Sequence, residues 1–393
     1  MIYILIIILL LFLSIKYDGK ITQGNHLYWI VCALLICLVG FSRDIGGDKA
    51  NYENAFYYCA KWTDGWPVVK QSIIENYLLG YMPLWTLFLI TCKTISSKFF
   101  ITQFLLALFV NTIFFSLFKR YSKRKFLCVL IYFVFCYYDF NFDILRRGIA
   151  ISFGLLALNE LLAKKYIKYY VFAVVALLFH VASFILFFLP LVRNIRFTTK
   201  RIILISLFSI VLYFVNSTFL LNIINTFSAI TGISRYNSFI ETSLNINGLL
   251  VSVIKFIIIP WIVIFMLQNG KERIHKDLHS IISAYFSACV LLIPITTLSY
   301  CFDFFSVFAI ILFVDFICIY LRHKNFFKRL SCCVITLLII LRCFNYYTYS
   351  YGGYENYRFF YPYTSIFDNE NTYYRDIMRA EGFSNDGFDN KRK

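Results

Sequence analysis

The chain has 393 residues, of which 60% are hydrophobic and 20% aromatic, with a formal charge of +17 and a mean hydropathy of +0.70. A soluble core cannot absorb that much apolar surface, and the apolar residues fall in long runs, so composition excludes a soluble globular domain and predicts an all-α, polytopic membrane protein. The alternation of a closed barrel is missing, and the basic residues cluster at the ends of apolar runs as the positive-inside bias expects, so the charge does not signal nucleic acid.

The first apolar run, 2–15, has the length of a signal peptide but neither a basic start nor a small-residue cleavage site, and it reads as a retained span. Further runs lie at 27–41, 99–118, 126–140, 148–162, 202–221, 248–268, 278–298, 304–321 and 330–346. A run at 77–92 follows a polar loop, and 169–192 reads either as one helix or as two short ones meeting at His180.

The basic clusters are Lys119–Lys125, Lys164–Lys168, Arg193–Arg201, Lys271–Lys276 and Arg322–Arg329. All of them share the cytoplasmic side only if 169–192 turns back at His180 and 77–92 does not cross. Two segments of about twelve residues reach only ~18 Å each, short of a ~30 Å hydrocarbon core, so that site must be locally thinned or packed by protein.

The resulting topology has about twelve transmembrane helices and both termini outside. Its outer face carries the 42–98 loop, the Asp139–Arg147 turn, His180, the 222–247 loop, Tyr300–Asp303 and the stretch from Tyr347. Residues 1–368 read as a single integral membrane domain, and 369–393 as a polar, poorly ordered tail. The cysteines lie mostly inside apolar runs, Cys59 being the one clearly in a polar loop, and no C-x-x-C occurs, so neither a disulfide framework nor a zinc site is expected. No internal repeat, Walker A motif or dinucleotide fingerprint is present, which disfavours an inverted-repeat transporter and an ATP-driven pump.

Three polar constellations interrupt the apolar chain. In Arg43-Asp44-Ile45-Gly46-Gly47-Asp48-Lys49-Ala50-Asn51-Tyr52, two carboxylates flank a glycine pair just past a helix end. They can supply a general base or hold a cation, or belong to a solvated turn. Asp143 precedes Arg146 by three residues, so on a helix the two share a face and pair, leaving Arg147 for a phosphate oxygen. The alternative is a snorkelling pair anchoring a helix end, but arginines on the outer side run against the positive-inside bias.

His180 is the lone ionisable group of its run, a core residue or part of a substrate site. Ser234-Arg235-Tyr236 shapes the 222–247 loop, and the aromatics of Tyr357–Phe367 fit an interfacial belt or a surface on which sugar rings stack.

Arg43-x-x-Gly46-x-Asp48-x-x-x-Tyr52, Asp143-x-x-Arg146-Arg147-x-x-Ala150, Phe179-His180-x-x-Ser183, the Tyr236 and Asn247-Gly248 loop, and Tyr361-Pro362-Tyr363-x-x-Ile366-Phe367 follow one another in this order. In this the chain resembles the EpsG family of Wzy-like bacterial polysaccharide polymerases. The family often has Leu-Arg-Gln where this chain has Leu145-Arg146-Arg147, and tends to place an arginine where this chain has Cys301-Phe302-Asp303-Phe304. The resemblance implies that Arg147 takes that arginine's part. It also implies a GT-C-like membrane glycosyltransferase, with 77–92 as an interfacial or re-entrant helix.

The implied activity joins oligosaccharide repeat units carried on a polyprenyl diphosphate at the outer face of the bacterial cytoplasmic membrane, in exopolysaccharide, capsule or O-antigen synthesis. Asp48, with Asp44 as understudy, would act as base or orient the acceptor. Arg146 and Arg147 would clamp the diphosphate, assisted by Asp143, His180 and Tyr236, while Arg43 and Tyr52 support the loop. No tightly held metal is demanded, since arginines can neutralise the leaving group, although a divalent cation remains compatible with these residues. The implied partners are the lipid-linked oligosaccharide, membrane lipids, and a flippase and chain-length regulator of the same route. Two other classes fit the same residues: a transporter of lipid-linked sugar, and a membrane O-acyltransferase with a catalytic His180.

Overall fold

The computed structural model describes residues 2–19, 24–195, 197–213, 226, 246–268, 278–293, 296–321, 324–348, 350–351, 354–368 and 375. In lipid every backbone N–H and C=O must be paired within the chain, which leaves apolar runs one economical conformation, the helix.

The helices are α1 (Ile2–Tyr17), α2 (Asn25–Gly40), α3 (Lys49–Tyr58), α4 (Trp66–Leu78), α5 (Pro83–Ile95), α6 (Phe100–Tyr121), α7 (Lys125–Phe135), α8 (Leu145–Leu162), α9 (Tyr166–Phe179) and α10 (Val181–Val192). There follow α11 (199–213), α12 (Gly248–Gln268), α13 (Leu278–Leu292), α14 (Ser306–Tyr320) and α15 (Phe326–Thr348). The two-residue strands Ser350–Tyr351 and Tyr354–Glu355 form an antiparallel hairpin, a small departure from the all-α expectation.

Among the described residues three stretches are long and apolar enough to cross a membrane, Phe100–Tyr121, Gly248–Gln268 and Leu298–Tyr320, with mean hydropathies of 1.9, 2.6 and 2.4. The fold is thus that of a multi-pass membrane protein. Its surface agrees: α1 turns Ile4, Leu5, Ile8 and Phe12 outward and buries Leu10 and Leu13. An outward apolar stripe on a helix is what a lipid solvent requires.

The chain divides into two compact units, one from residues 1–69, 88–148 and 317–393, the other from 70–87 and 149–316. In the first, α2 and α6 run antiparallel. The Tyr28 hydroxyl at one end donates to Phe115 O at 2.6 Å, and Gln103 Nε2 at the other donates to Val39 O at 2.7 Å. α1 packs antiparallel on α7, with Tyr17 against Phe126 and Tyr3 against Phe133.

Asp18 closes the N-terminus of α7, accepting from Phe126 N at 3.0 Å and Leu127 N at 2.9 Å, a carboxylate on the positive end of a helix dipole. Beside it Lys125 Nζ donates to Asn25 Oδ1 at 2.6 Å, and Lys119 lies over the Trp29 ring. The basic cluster Lys119–Lys125 therefore marks one end of this bundle. The 41–48 loop, which leaves the other end of α2, lies at the opposite end.

At that opposite end, beyond α7, the chain makes a π turn over Asp139–Asp143. A closed set of buried amides and a phenol holds it. Asn141 Nδ2 donates to the Tyr132 hydroxyl at 2.9 Å and to Tyr137 O at 2.8 Å, Asn111 Nδ2 donates to Asn141 Oδ1 at 2.6 Å, and the Tyr132 hydroxyl donates to Asn111 Oδ1 at 3.1 Å. A Cβ on Gly148 would lie 2.7 Å from Phe140 O, so a glycine is needed for α8 to start this close to the turn.

In the second unit the 169–192 stretch forms two short helices. His180, extended at φ −154° and ψ 129°, breaks the run, and α10 turns back along α9, where the Tyr169 hydroxyl donates to Leu186 O. Arg193 satisfies the C-terminal carbonyl of α8, donating from Nη1 to Leu161 O at 3.1 Å. α12 carries a π turn at Ile254–Ile258, and the Tyr285 hydroxyl of α13 donates to Phe256 O there at 2.8 Å. Lys255 lies over the Phe256 ring at 4.1 Å, a cation within an apolar helix.

The 77–92 run departs from a single helix. It is split between α4 and α5 by the turn at 79–82, where Tyr81 N donates to Asn76 O at 2.9 Å.

Replacing Asn141 with leucine leaves Asn111 and Tyr132 buried and short of a partner. The expected loss is about 1–3 kcal/mol, read as a lower melting temperature in detergent. The Asn111→Leu/Asn141→Leu pair should cost less than the sum of its singles, because both delete one network.

Candidate functional site

Gly46, Asp48, Tyr52, Asp143 and Arg146, all singled out from the sequence, meet in the first unit. The 41–48 loop leaves α2 and approaches the Phe142–Asp143 turn so closely that a Cβ on Gly46, whose φ is +105°, would overlap the Phe142 carbonyl oxygen. Only glycine meets both demands, the left-handed backbone and the bare approach. Gly47 comes next, where a Cβ would stand 3.1 Å from Asp143 Oδ1. The Asp48 backbone N–H then donates to that same Oδ1 at 2.9 Å.

Asp143 and Arg146 stand on neighbouring elements, since the π turn ends at Asp143 and α8 begins at Leu145. The Asp143 carboxylate reaches the start of α3, where the helix's N-terminal N–H groups favour an anion.

Arg146 faces α3. Its guanidinium lies 5.8 Å from the Tyr52 ring centroid and donates to the Tyr52 hydroxyl oxygen. Burial pushes the Tyr52 phenol well above its ordinary range, Arg146 pulls it back, and Asp48 and Asp143 reinforce the burial. The phenol is thus protonated at neutral pH, a neutral partner that orients the guanidinium without cancelling its charge. Arg147 is half-buried beside it on α8.

Asp48 is exposed at the N-terminus of α3, with Asn51 Nδ2 donating to its Oδ1 at 3.5 Å. Asp44 differs: Arg43 Nε lies 3.3 Å from its Oδ2. Of the two candidate carboxylates, Asp48 faces solvent while Asp44 is held by the neighbouring cation.

The α3 helix is anchored at both ends. Lys49, buried, points Nζ toward Ser42 O at 3.5 Å and Glu53 Oε1 at 3.8 Å. Lys93 of α5 donates to Tyr57 O at 2.6 Å and to Cys59 O. Cys59 is itself buried, not solvated as its polar loop suggests, and burial pushes its thiol up to about 11.

The C-terminal stretch completes the loop's support. Arg43 N donates to Thr364 O at 2.9 Å, Ile366 N to Phe41 O at 2.9 Å and Gly46 N to Phe359 O at 3.0 Å. Thr364 and Arg375 were not distinguished in the sequence, since neither belongs to a charged or glycine-rich motif. The buried Arg375 donates from Nη1 to Asp44 O at 3.1 Å and to Thr364 Oγ1 at 2.8 Å.

His180 belongs to the second unit. Its Nδ1 accepts from Ala182 N at 3.2 Å, which places the proton of the neutral ring on Nε2. The ring stands edge-on to Tyr300, with centroids 6.2 Å apart. Tyr236 lies outside the described residues. Among the described residues no group of three or more His, Cys, Asp or Glu side chains is arranged to hold a metal ion.

Gly46→Ala should destabilise the protein by more than about 1 kcal/mol, because the added Cβ meets an incompatible φ as well as the Phe142 carbonyl. Gly47→Ala, whose only new neighbour is a carboxylate oxygen, should cost less. Melting temperatures of the two variants in one detergent check the order.

No curated protein and no solved structure matches the chain. The sequence model of the EpsG family matches residues 25–365, a span that takes in the 41–48 loop, Arg146, His180 and Thr364. The chain belongs to the EpsG family.

Proposed function

We propose that this protein is a polysaccharide polymerase. It joins oligosaccharide repeat units carried on a polyprenyl diphosphate at the outer face of the bacterial cytoplasmic membrane. The observation that carries this reading is the meeting of Asp48, Asp143, Tyr52 and Arg146 at one end of a bundle whose other end bears Lys119–Lys125. The positive-inside bias assigns the Lys119–Lys125 end to the cytoplasm, and hence the carboxylate–guanidinium end to the outside. Family membership supports the same class of activity.

In the proposed reaction an acceptor hydroxyl attacks the anomeric carbon of the growing chain. The bond from that carbon to the diphosphate oxygen breaks, the hydroxyl proton passes to a carboxylate, and polyprenyl diphosphate leaves. Asp48, exposed and at the mouth of the loop, takes the proton or orients the hydroxyl. Asp44, held by Arg43, is the weaker candidate.

Arg146, aimed by Tyr52, and Arg147 neutralise the departing diphosphate, which needs fixed positive charge where negative charge develops. Asp143 fixes the start of α3 and so the position of Asp48. His180, its proton on Nε2, donates to a phosphate or sugar oxygen. The lipid tail enters sideways between helices. We further propose twelve crossings with both termini outside, the α4–α5 segment at the membrane surface, and work alongside a flippase and a chain-length regulator.

The test is reconstitution of the purified chain in liposomes with a defined polyprenyl-diphosphate-linked repeat unit. Wild type should build a ladder of products. Asp48→Asn and Arg146→Ala should each slow it on the order of 100-fold or more, and Arg146→Lys should restore part of the loss if charge matters beyond fork geometry. A protein that moves the lipid across the bilayer without lengthening the glycan would be a transporter, and wild-type ladders from Asp48→Asn and Arg146→Ala would remove the proposed site.

A further inference from the structure

The carboxylate loop is strapped from a place remote in sequence. Arg375 is wholly buried, 331 residues from Asp44, yet its guanidinium spans the loop and the C-terminal stretch. Nη1 donates to Asp44 O at 3.1 Å and to Thr364 Oγ1 at 2.8 Å, and Nη2 donates to Pro362 O. Thr364 Oγ1 passes the link on, donating to Arg43 O at 2.5 Å.

Two consecutive loop carbonyls, those of residues 43 and 44, are therefore fixed by one cation and one hydroxyl. The residue that carries the second carbonyl needs this help. Asp44 has φ +57°, a left-handed conformation that is costly for a residue with a Cβ and persists only where its surroundings hold it. Four residues on, Asp48 must arrive at Asp143 for its N–H to meet Oδ1.

We propose that Arg375 is a positioning residue of the site. It pins the backbone of Arg43 and Asp44, fixes the left-handed turn at Asp44, and so sets Asp48 against Asp143 and Arg146 without touching substrate itself. This rests on the reading of Asp48 and Arg146 as the reaction centre. Arginine suits the task because a rigid planar fork reaches three acceptors at once, whereas a lysine ammonium is a point charge on a flexible stem. Truncation between residues 374 and 375 is then equivalent to cutting into the site.

Two readouts test this. The first is the rate at which a membrane-impermeant maleimide labels Asp48→Cys, against Thr63→Cys as an exposed control in the same polar loop. Adding Arg375→Ala should change the labelling rate at 48 several-fold and leave 63 unchanged. Thr364→Val should act in the same direction more weakly, and Arg375→Lys should not restore the wild-type rate.

The second readout is glycan lengthening by the otherwise native sequence. Arg375→Ala should lower kcat on the order of 100-fold, as a misplaced catalytic group does, with little change in KM for the lipid-linked donor. Unchanged labelling at 48 would overturn the proposal, as would equal changes at 48 and 63, which mark general unfolding. A rise in KM with kcat unchanged would overturn it too. If wild type lengthens no glycan, the functional reading fails by itself, and the labelling ratio alone decides the role of Arg375.

Discussion

The contact on which the site depends is the approach of the 41–48 loop to the Phe142–Asp143 turn. A bare glycine backbone lies against the Phe142 carbonyl, and two residues later a backbone N–H meets a carboxylate. Remove either and Asp48 and Arg146 become charges on separate elements. The rest of the first unit serves this approach: antiparallel α2 and α6 bring the loop to one end of the bundle, and the Asn111–Tyr132–Asn141 network fixes the π turn that presents Asp143. A satisfied polar network in an apolar interior is rigid, because each group that leaves it is stranded without water.

Local irregularity recurs at three places where polar chemistry enters the apolar chain. The Asp139–Asp143 π turn precedes the arginines, the α12 π turn carries Lys255, and His180 sits at an extended break between two helices. In α12 the irregularity frees a backbone carbonyl that a regular helix would pair internally, and the Tyr285 hydroxyl donates to it at Phe256 O. Where the chain gives up the helix in an apolar medium, the cost is carried by a second contact, and such places commonly serve function.

Much of this was legible from the residues. Apolar runs read as helices because lipid leaves them little else, and the turn at His180 followed from basic clusters that had to share one side. Gly46, Asp48, Tyr52 and Arg146 were visible as a motif, and they do converge. The contact of Asp143 with the start of α3 was not, because it joins residues 95 apart through a backbone N–H, which side-chain spacing does not register. The split of 77–92 was signalled by Gly80, left-handed at φ +84°, and by Pro83 at the start of α5, but the unbroken apolar character of the run outweighed them. Arg375 was hidden because two of its partners are backbone carbonyls, which leave no trace in side-chain pattern, and one of these, Asp44 O, lies 331 residues away.

The most direct measurement joins the two halves of the site physically. Cysteines are placed at positions 47 and 143 in a chain whose native cysteines have been replaced, and intact cells are treated with a short, membrane-impermeant bifunctional thiol reagent. Because a side chain at 47 stands against that of 143, the account predicts a bridge between them formed from outside the cell. Labelling of the two positions from opposite sides of the membrane would contradict it.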